Sequence, residues 1–316
     1  MSLKIAQLPT FDGIPASTTA VTPVSIELNR GELVHALWLQ ASVAAGSVGL
    51  GTLQAPTLLG YIRLKIDGTT YREVSAQRLA VLNALNNPSG GSQYSTKTSG
   101  TGATLVSYLP IFLAEPWRQG VFNAQGIAVP EAAITAWPVT SRRVTLEVEL
   151  AASLTSPILT GFYEYEPTNQ KMGKIIAWET HNISVSSASP GLTVEKFGGN
   201  ENEGIQVLSL FPTIQTTSAY VSSLKFSRNK DPIRDAVTRY QNDAILISRG
   251  LSPTALDLTS DTTIKNTGAY HLVMDYDDPI RQTLAVKGFT EVTMTPTFNT
   301  APAGALEIVV QKIVTP

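Results

Sequence analysis

The 316-residue sequence predicts an all-β protein built from two similar sandwich-like halves. Three observations carry that expectation. Apolar and polar residues alternate with period two over many short runs. Clusters of Gly, Pro, Asn and Ser punctuate those runs at turn-like intervals. The same series of landmarks is written twice, about half a chain apart. Alternation is the mark of a strand with one dry and one wet face, and many short strands with regular turns argue for a sandwich or barrel.

Composition bounds the rest. Lys and Arg number 23 and Asp and Glu 25, a net charge of −2, and charged residues make up 15%, against roughly 25% in an average soluble domain. Such a chain has no electrostatic excess for gripping nucleic acid or anionic lipid. Cysteine is absent, which excludes disulfides, thiolate metal sites and a cysteine nucleophile, and fits folding in a reducing cytosol. The first twenty residues meet Pro9, Asp12 and Pro15 before any apolar core of signal-peptide length. Leu33–Ile62 carries no charge, but Gln40, Gln54, Pro56, Gly46, Gly49, Gly51 and Gly60 interrupt it. It therefore reads as buried strands joined by a Gly-rich loop rather than as a membrane span.

Taken in order, Ile62, Leu64 and Ile66 alternate with Arg63, Lys65 and Asp67. Ser75 is an N-cap for a helix through Ala76–Leu85, with Leu79, Leu82 and Leu85 at helical spacing and Pro88 as its stop. Leu109–Ala114 is apolar on both faces, as in a strand covered on both sides. An uncharged excursion follows, Gln119–Thr140, which must pack or face a partner. Val144, Leu146, Val148 and Leu150 alternate with Thr145, Glu147 and Glu149. In the second half, Leu224 and Phe226 flank Lys225, and Leu306, Ile308 and Val310 lie opposite Glu307 and Gln311. Asp231-Pro232 reads as a cap followed by proline at the first helical position, predicting a second helix through Tyr240.

The halves share the order strand, charged turn, helix, polar loop, strand and acid-Pro-apolar-Arg. The last element is Glu115-Pro116-Trp117-Arg118 in one half and Asp278-Pro279-Ile280-Arg281 in the other. Lys65 and Lys225 lie 160 residues apart, and Pro116 and Pro279 lie 163 apart. Two landmarks with nearly one offset predict a duplicated domain. The boundary falls at Pro167-Thr168-Asn169-Gln170, giving domains 1–167 and 168–316.

No catalytic, cofactor-binding or metal site emerges. His35, His181 and His271 are scattered, with no His-Glu-x-x-His pattern. Gly46-Ser47-Val48-Gly49 lacks the spacing of a nucleophile elbow, and Ser99-Gly100-Thr101-Gly102 lacks the lysine of a phosphate loop. Asp275, Asp277 and Asp278 crowd one strand end and Glu164 and Glu166 share a strand face. These carboxylates read as solvated. A glycosidase pair or a structural Ca²⁺ held by the aspartates are the sharper alternatives. Arg142-Arg143 and Arg228 with Lys230 are isolated basic pairs without base-stacking aromatics around them. Asn182-Ile183-Ser184 is a glycosylation sequon that idles without secretion.

The doubled order, carried best by Ile62-Arg63-Leu64-Lys65-Ile66-Asp67-Gly68 and the helix after it, resembles the double jelly-roll major capsid proteins of tailless icosahedral, membrane-containing phages of the corticovirus type. That resemblance implies two tandem eight-stranded jelly rolls, each with one short helix inserted. It further implies a non-enzymatic coat protein whose homotrimers form pseudo-hexagonal tiles of a virion shell, made in the host cytoplasm. Neighbouring trimers, minor capsid proteins and an underlying viral membrane would be its partners, with no nucleic acid and no small-molecule substrate. Duplication lets one chain imitate sixfold symmetry while closing with threefold. A carbohydrate- or receptor-binding sandwich, such as a lectin or viral spike, is the alternative, since 4 Trp and 10 Tyr are enough to line a sugar site. A jelly-roll hydrolase using Glu164 or Asp275 is a third.

Overall fold

A computed structural model describes residues 3–43, 58–85, 96–97, 105–113, 136–140, 142–169, 171–173, 175–185, 206–214, 221–248, 270–273, 284–285, 292–301, 304–314 and 316. Its first half contains β1 (Lys4–Gln7), β2 (Thr22–Glu27), β3 (Glu32–Val43), β4 (Leu59–Ile66), β5 (Thr69–Ser75), α1 (Ala76–Leu85), β6 (Thr96–Lys97), β7 (Leu105–Phe112), β8 (Trp137–Val139), β9 (Val144–Leu150) and β10 (Ile158–Pro167). The second contains β11 (Ile175–Val185), β12 (Gln206–Ile214), β13 (Val221–Arg228), β14 (Asp231–Thr238), α2 (Arg239–Ser248), β15 (Leu272–Val273), β16 (Leu284–Ala285), β17 (Val292–Phe298) and β18 (Gly304–Val314). The Gln119–Thr140 excursion is described only from residue 136 onward. Between α1 and β7 only Thr96–Lys97 is described, and Asp275, Asp277 and Asp278 lie outside the described residues.

In the first half, one sheet runs β1-β10-β3-β7 and the facing strands run β2-β9-β4-β5. With β6 and β8 as additions to the first sheet, these eight strands are ordered 1-8-3-6 and 2-7-4-5, the double Greek key of a jelly roll. The second half repeats it: β11-β18-β12-β15 is again 1-8-3-6, and β17-β13-β14 is 7-4-5. Residues 186–205, where the second position of that order would fall, are outside the described residues. In each half the helix stands between the fifth and sixth strands of the order. The fold is therefore two tandem jelly rolls.

Alternation places the cores as expected. Ile62, Leu64 and Ile66 of β4 and Val144, Leu146, Val148 and Leu150 of β9 are buried beside Val34, Leu37 and Leu39 of β3. A separate cluster holds Leu224 and Phe226 of β13, Met294 of β17 and Ile308 and Val310 of β18. His35 is the extra residue of a bulge in β3, because Glu164 pairs with Ala36 and Tyr165 with Val34. Gly161 lies where β10 crosses Trp38: a Cβ there would sit 2.3 Å from the Trp38 carbonyl oxygen and 2.7 Å from Leu8 Cδ1. The obstacle is backbone and cannot rotate away. Gly161→Ala is expected to lose about 2–3 kcal/mol of stability in denaturant titrations.

Three expectations are corrected. The second helix does not begin at Asp231. Asn229 and Lys230 both take positive φ, 49° and 68°, forming a two-residue turn that folds Asp231–Thr238 back as β14 against β13. Proline is tolerated there because β14 is an edge strand of its sheet. The helix starts one element later, under a capping box. The Gln241 N–H donates to Thr238 Oγ1 at 3.3 Å, and the Thr238 N–H donates to Gln241 Oε1 at 2.9 Å. In α1, the Arg78 N–H donates to Ser75 Oγ at 3.4 Å, so Ser75 is the cap its sequence predicts.

The internal offset is the second correction. Leu64 pairs with Arg72 and Phe226 with Arg234, equivalent pairs 162 residues apart. The caps Ser75 and Thr238 are 163 apart. Lys225 therefore answers to Arg63, not Lys65. The third correction concerns β18, whose supposedly wet face is dry: Glu307 and Gln311 are both buried, with Val309 between them in the first half's core.

Candidate functional site

That dry polar face marks the joint between the two jelly rolls. β5 and β11 meet in parallel at the pair Arg72–Trp178, which fuses strands of both halves into one nine-stranded sheet. Ile176 and Trp178 of β11 belong to the first jelly roll's core, whereas Val185, with Ile183 packed beside it, belongs to the second's. The start of the strand, Ile175 included, packs with the first domain and its end packs with the second.

Arg72 holds the joint. It is 2% exposed, and a guanidinium at that depth needs every donor occupied. Nε donates to the Ile176 carbonyl at 2.9 Å, Nη1 to Phe112 at 2.7 Å and Nη2 to Leu113 at 3.5 Å. Its guanidinium carbon lies over two indoles, 4.5 Å from the Trp178 ring centre and 5.3 Å from that of Trp137. One side chain so ties β5, the end of β7, β8 and β11 together. The sequence carries a signal for it: Arg72 and Val74 share one face of β5, so a cation stands on an apolar face.

A second tie crosses beside it. Arg78 of α1 lies 3.5 Å from Glu307 of β18, both buried, and Ser75 Oγ donates to the same carboxylate at 3.4 Å. Burial pulls the Arg78 pKa down and the Glu307 charge opposes that pull. Thr180 Oγ1 donates to the Glu73 carbonyl at 2.7 Å, and Asn182 Nδ2 to Tyr61 Oη at 3.3 Å.

At the rim, Glu179 meets Lys312 and lies 3.7 Å from His181, too far for a good hydrogen bond but close for a charge. The contact with His181, and then that with Lys312, holds its pKa at about 2 against the opposing push of burial. A carboxylate depressed from 4.5 adds stability that is complete above the unfolded value and lost as pH falls through the folded one. Glu179→Gln is expected to flatten the loss of stability between pH 5 and 2, read from unfolding midpoints across that range.

On the outer face of β4, β5 and β9, Arg63 bridges Glu73 at 2.6 Å, Glu147 at 3.1 Å and Glu149 at 2.6 Å, and Lys65 meets Glu147 at 2.7 Å. Burial works against the Arg63 charge, but the hydrogen bonds it donates to Glu73 and Glu149 outweigh it and raise its pKa. Arg143 is paired with Glu27 at 2.8 Å and Arg142 lies 3.9 Å from Asp67, so this basic pair faces acids. His35, His181 and His271 fall in β3, β11 and the residue before β15. Glu164 and Glu166 are half-buried at the end of β10. Among the described residues no three His, Asp or Glu side chains gather to hold a metal, and no helix is long and apolar enough to cross a membrane.

Two jelly rolls of one strand order, fused edge to edge with a helix in each, define a double jelly roll, the architecture of viral major capsid proteins. Solved structures share it over the full chain. The major capsid protein P2 from bacteriophage PM2 superposes with a TM-score of 0.70 at 12% identity, covering 100% of this chain and 98% of that one. The chain in the structure of Sulfolobus turreted icosahedral virus gives 0.63 at 11%, covering 100% and 92%. The PBCV-1 virus capsid gives 0.58 at 13%, covering 99% and 94%. No family model matches the sequence, and no curated protein matches it.

Proposed function

We propose that this chain is a major capsid protein, non-enzymatic, that assembles as homotrimers into pseudo-hexagonal tiles of an icosahedral virion shell. The observation that carries the reading is full-length agreement with the PM2 coat protein, from first strand to last, at a TM-score of 0.70. The side-by-side joint supports it: it is heterologous, uniting one jelly roll's β5 edge with the next one's β11 edge, and a heterologous contact repeated around an axis closes into a ring. The domains of the tile are residues 1–167 and 168–316, with the linker between β10 and β11. The shell is built in the host cytoplasm and resides in the virion. Its partners are neighbouring trimers, minor capsid proteins and the membrane beneath, and the low net charge of −2 favours lateral packing. Light scattering on the purified chain tests this. A particle of about 100 kDa, three chains of 33.8 kDa, is expected, and a monomer over the micromolar range contradicts it.

A further inference from the structure

We propose that the joint made within the chain by β5 and β11 is made again between copies: the free edge of β14 in one copy pairs in parallel with the free edge of β1 in the next, Arg234 meeting Leu3 and Ile5. The inference rests on the trimer reading above and names the surfaces that would close it.

The internal repeat supplies the correspondence. β14 occupies in the second jelly roll the place of β5 in the first, and β1 occupies the place of β11. Within the chain β5 and β11 are joined, whereas β14 and β1 are both sheet edges among the described residues. An unpaired strand edge invites another strand. Register makes the match residue by residue: Arg234, opposite Phe226, is the counterpart of Arg72, opposite Leu64. Arg72 is buried against β11. Arg234 is half-exposed and, among the described residues, has no ion-pair or hydrogen-bond partner.

The opposing surface matches in the same way. In β11, Ile176 and Trp178 face away from their own domain and into the first jelly roll's core. In β1, Ala6 packs on its own core while Leu3 and Ile5 point away, 49% and 67% exposed. Of the large apolar side chains exposed among the described residues, Leu3, Ile5 and Ile158 lie on or beside β1 and its partner β10, and Tyr240 and Ile247 lie on α2. Only Val21 falls elsewhere. Most of the exposed apolar surface thus lies on β1, its partner strand β10 and α2. A second copy of this chain fits both edges at once, and three copies close the ring.

The chain has no cysteine, so thiols placed in the full-length protein report only on this contact. In Ile5→Cys/Arg234→Cys, mild oxidation or a short bis-maleimide is expected to give a covalent species of three chains on denaturing gels, and either single variant should remain one chain. Ile5→Asp/Arg234→Glu is expected to shift the light-scattering mass from trimer to monomer with an unchanged far-ultraviolet circular dichroism spectrum. A wild-type trimer that yields no cross-link and persists in the charged double variant overturns the joint and leaves the trimer standing. A wild-type chain that is monomeric overturns both.

Discussion

Arg72→Met is expected to destabilise the fold by about 3–5 kcal/mol. The side chain is 2% exposed and reaches three carbonyl oxygens belonging to Ile176, Phe112 and Leu113. Each buried acceptor left empty costs roughly 1–3 kcal/mol, and the contact with two indoles contributes about 2 more when desolvated. Relief of the guanidinium's own desolvation offsets part of that sum. At roughly 2–4 °C per kcal/mol for a chain approaching this size, the melting midpoint should fall by about 6–20 °C. Arg72→Lys is expected to rescue little, because an ammonium is a single point and cannot span three carbonyls while meeting two rings. Thermal unfolding of both variants checks this, and a lysine variant as stable as the parent would contradict the role assigned to the planar fork.

Glu307→Ala is expected to cost about 3–5 kcal/mol, since it removes the carboxylate opposite a buried guanidinium. Both partners lie deep in the joint, with side-chain exposures of 10% for Arg78 and 4% for Glu307. The informative variant is the pair. Arg78→Met/Glu307→Leu replaces two buried ions by apolar groups of similar size, and such exchanges are often neutral. It should recover most of what Glu307→Leu alone loses, giving a coupling of about 2 kcal/mol or more in a double-mutant cycle whose other corners are Arg78→Met and Glu307→Leu. Guanidinium titrations of the four proteins provide the cycle, and additive losses would contradict a direct contact across the domains.

Much of the fold was legible because alternation records burial face by face. Ile62, Leu64 and Ile66 turned inward as their spacing demands, and Ser75 capped the helix it precedes. The second helix was misplaced by one element because Asp-Pro is an ambiguous signal: it opens helices and is also admitted at the start of an edge strand. The deciding feature was a turn at Asn229-Lys230, whose positive φ values two non-glycine residues do not announce. The joint was less legible for a different reason. Glu307 and Gln311 read as solvent-facing because polarity is the only guide to exposure within one strand, yet a second domain covers them. Contacts between residues as distant as Arg78 and Glu307 leave no local periodicity. Only Arg72, a cation on an apolar face, carried a trace of the junction in the sequence.

Electron microscopy of the purified oligomer tests the central claim most directly. Class averages viewed down the axis should show six sandwich-sized densities in a hexagonal ring that obeys only threefold symmetry, two alternating jelly rolls from each of three chains. A single chain with two lobes, or a twofold dimer that buries like surface against like, would contradict it.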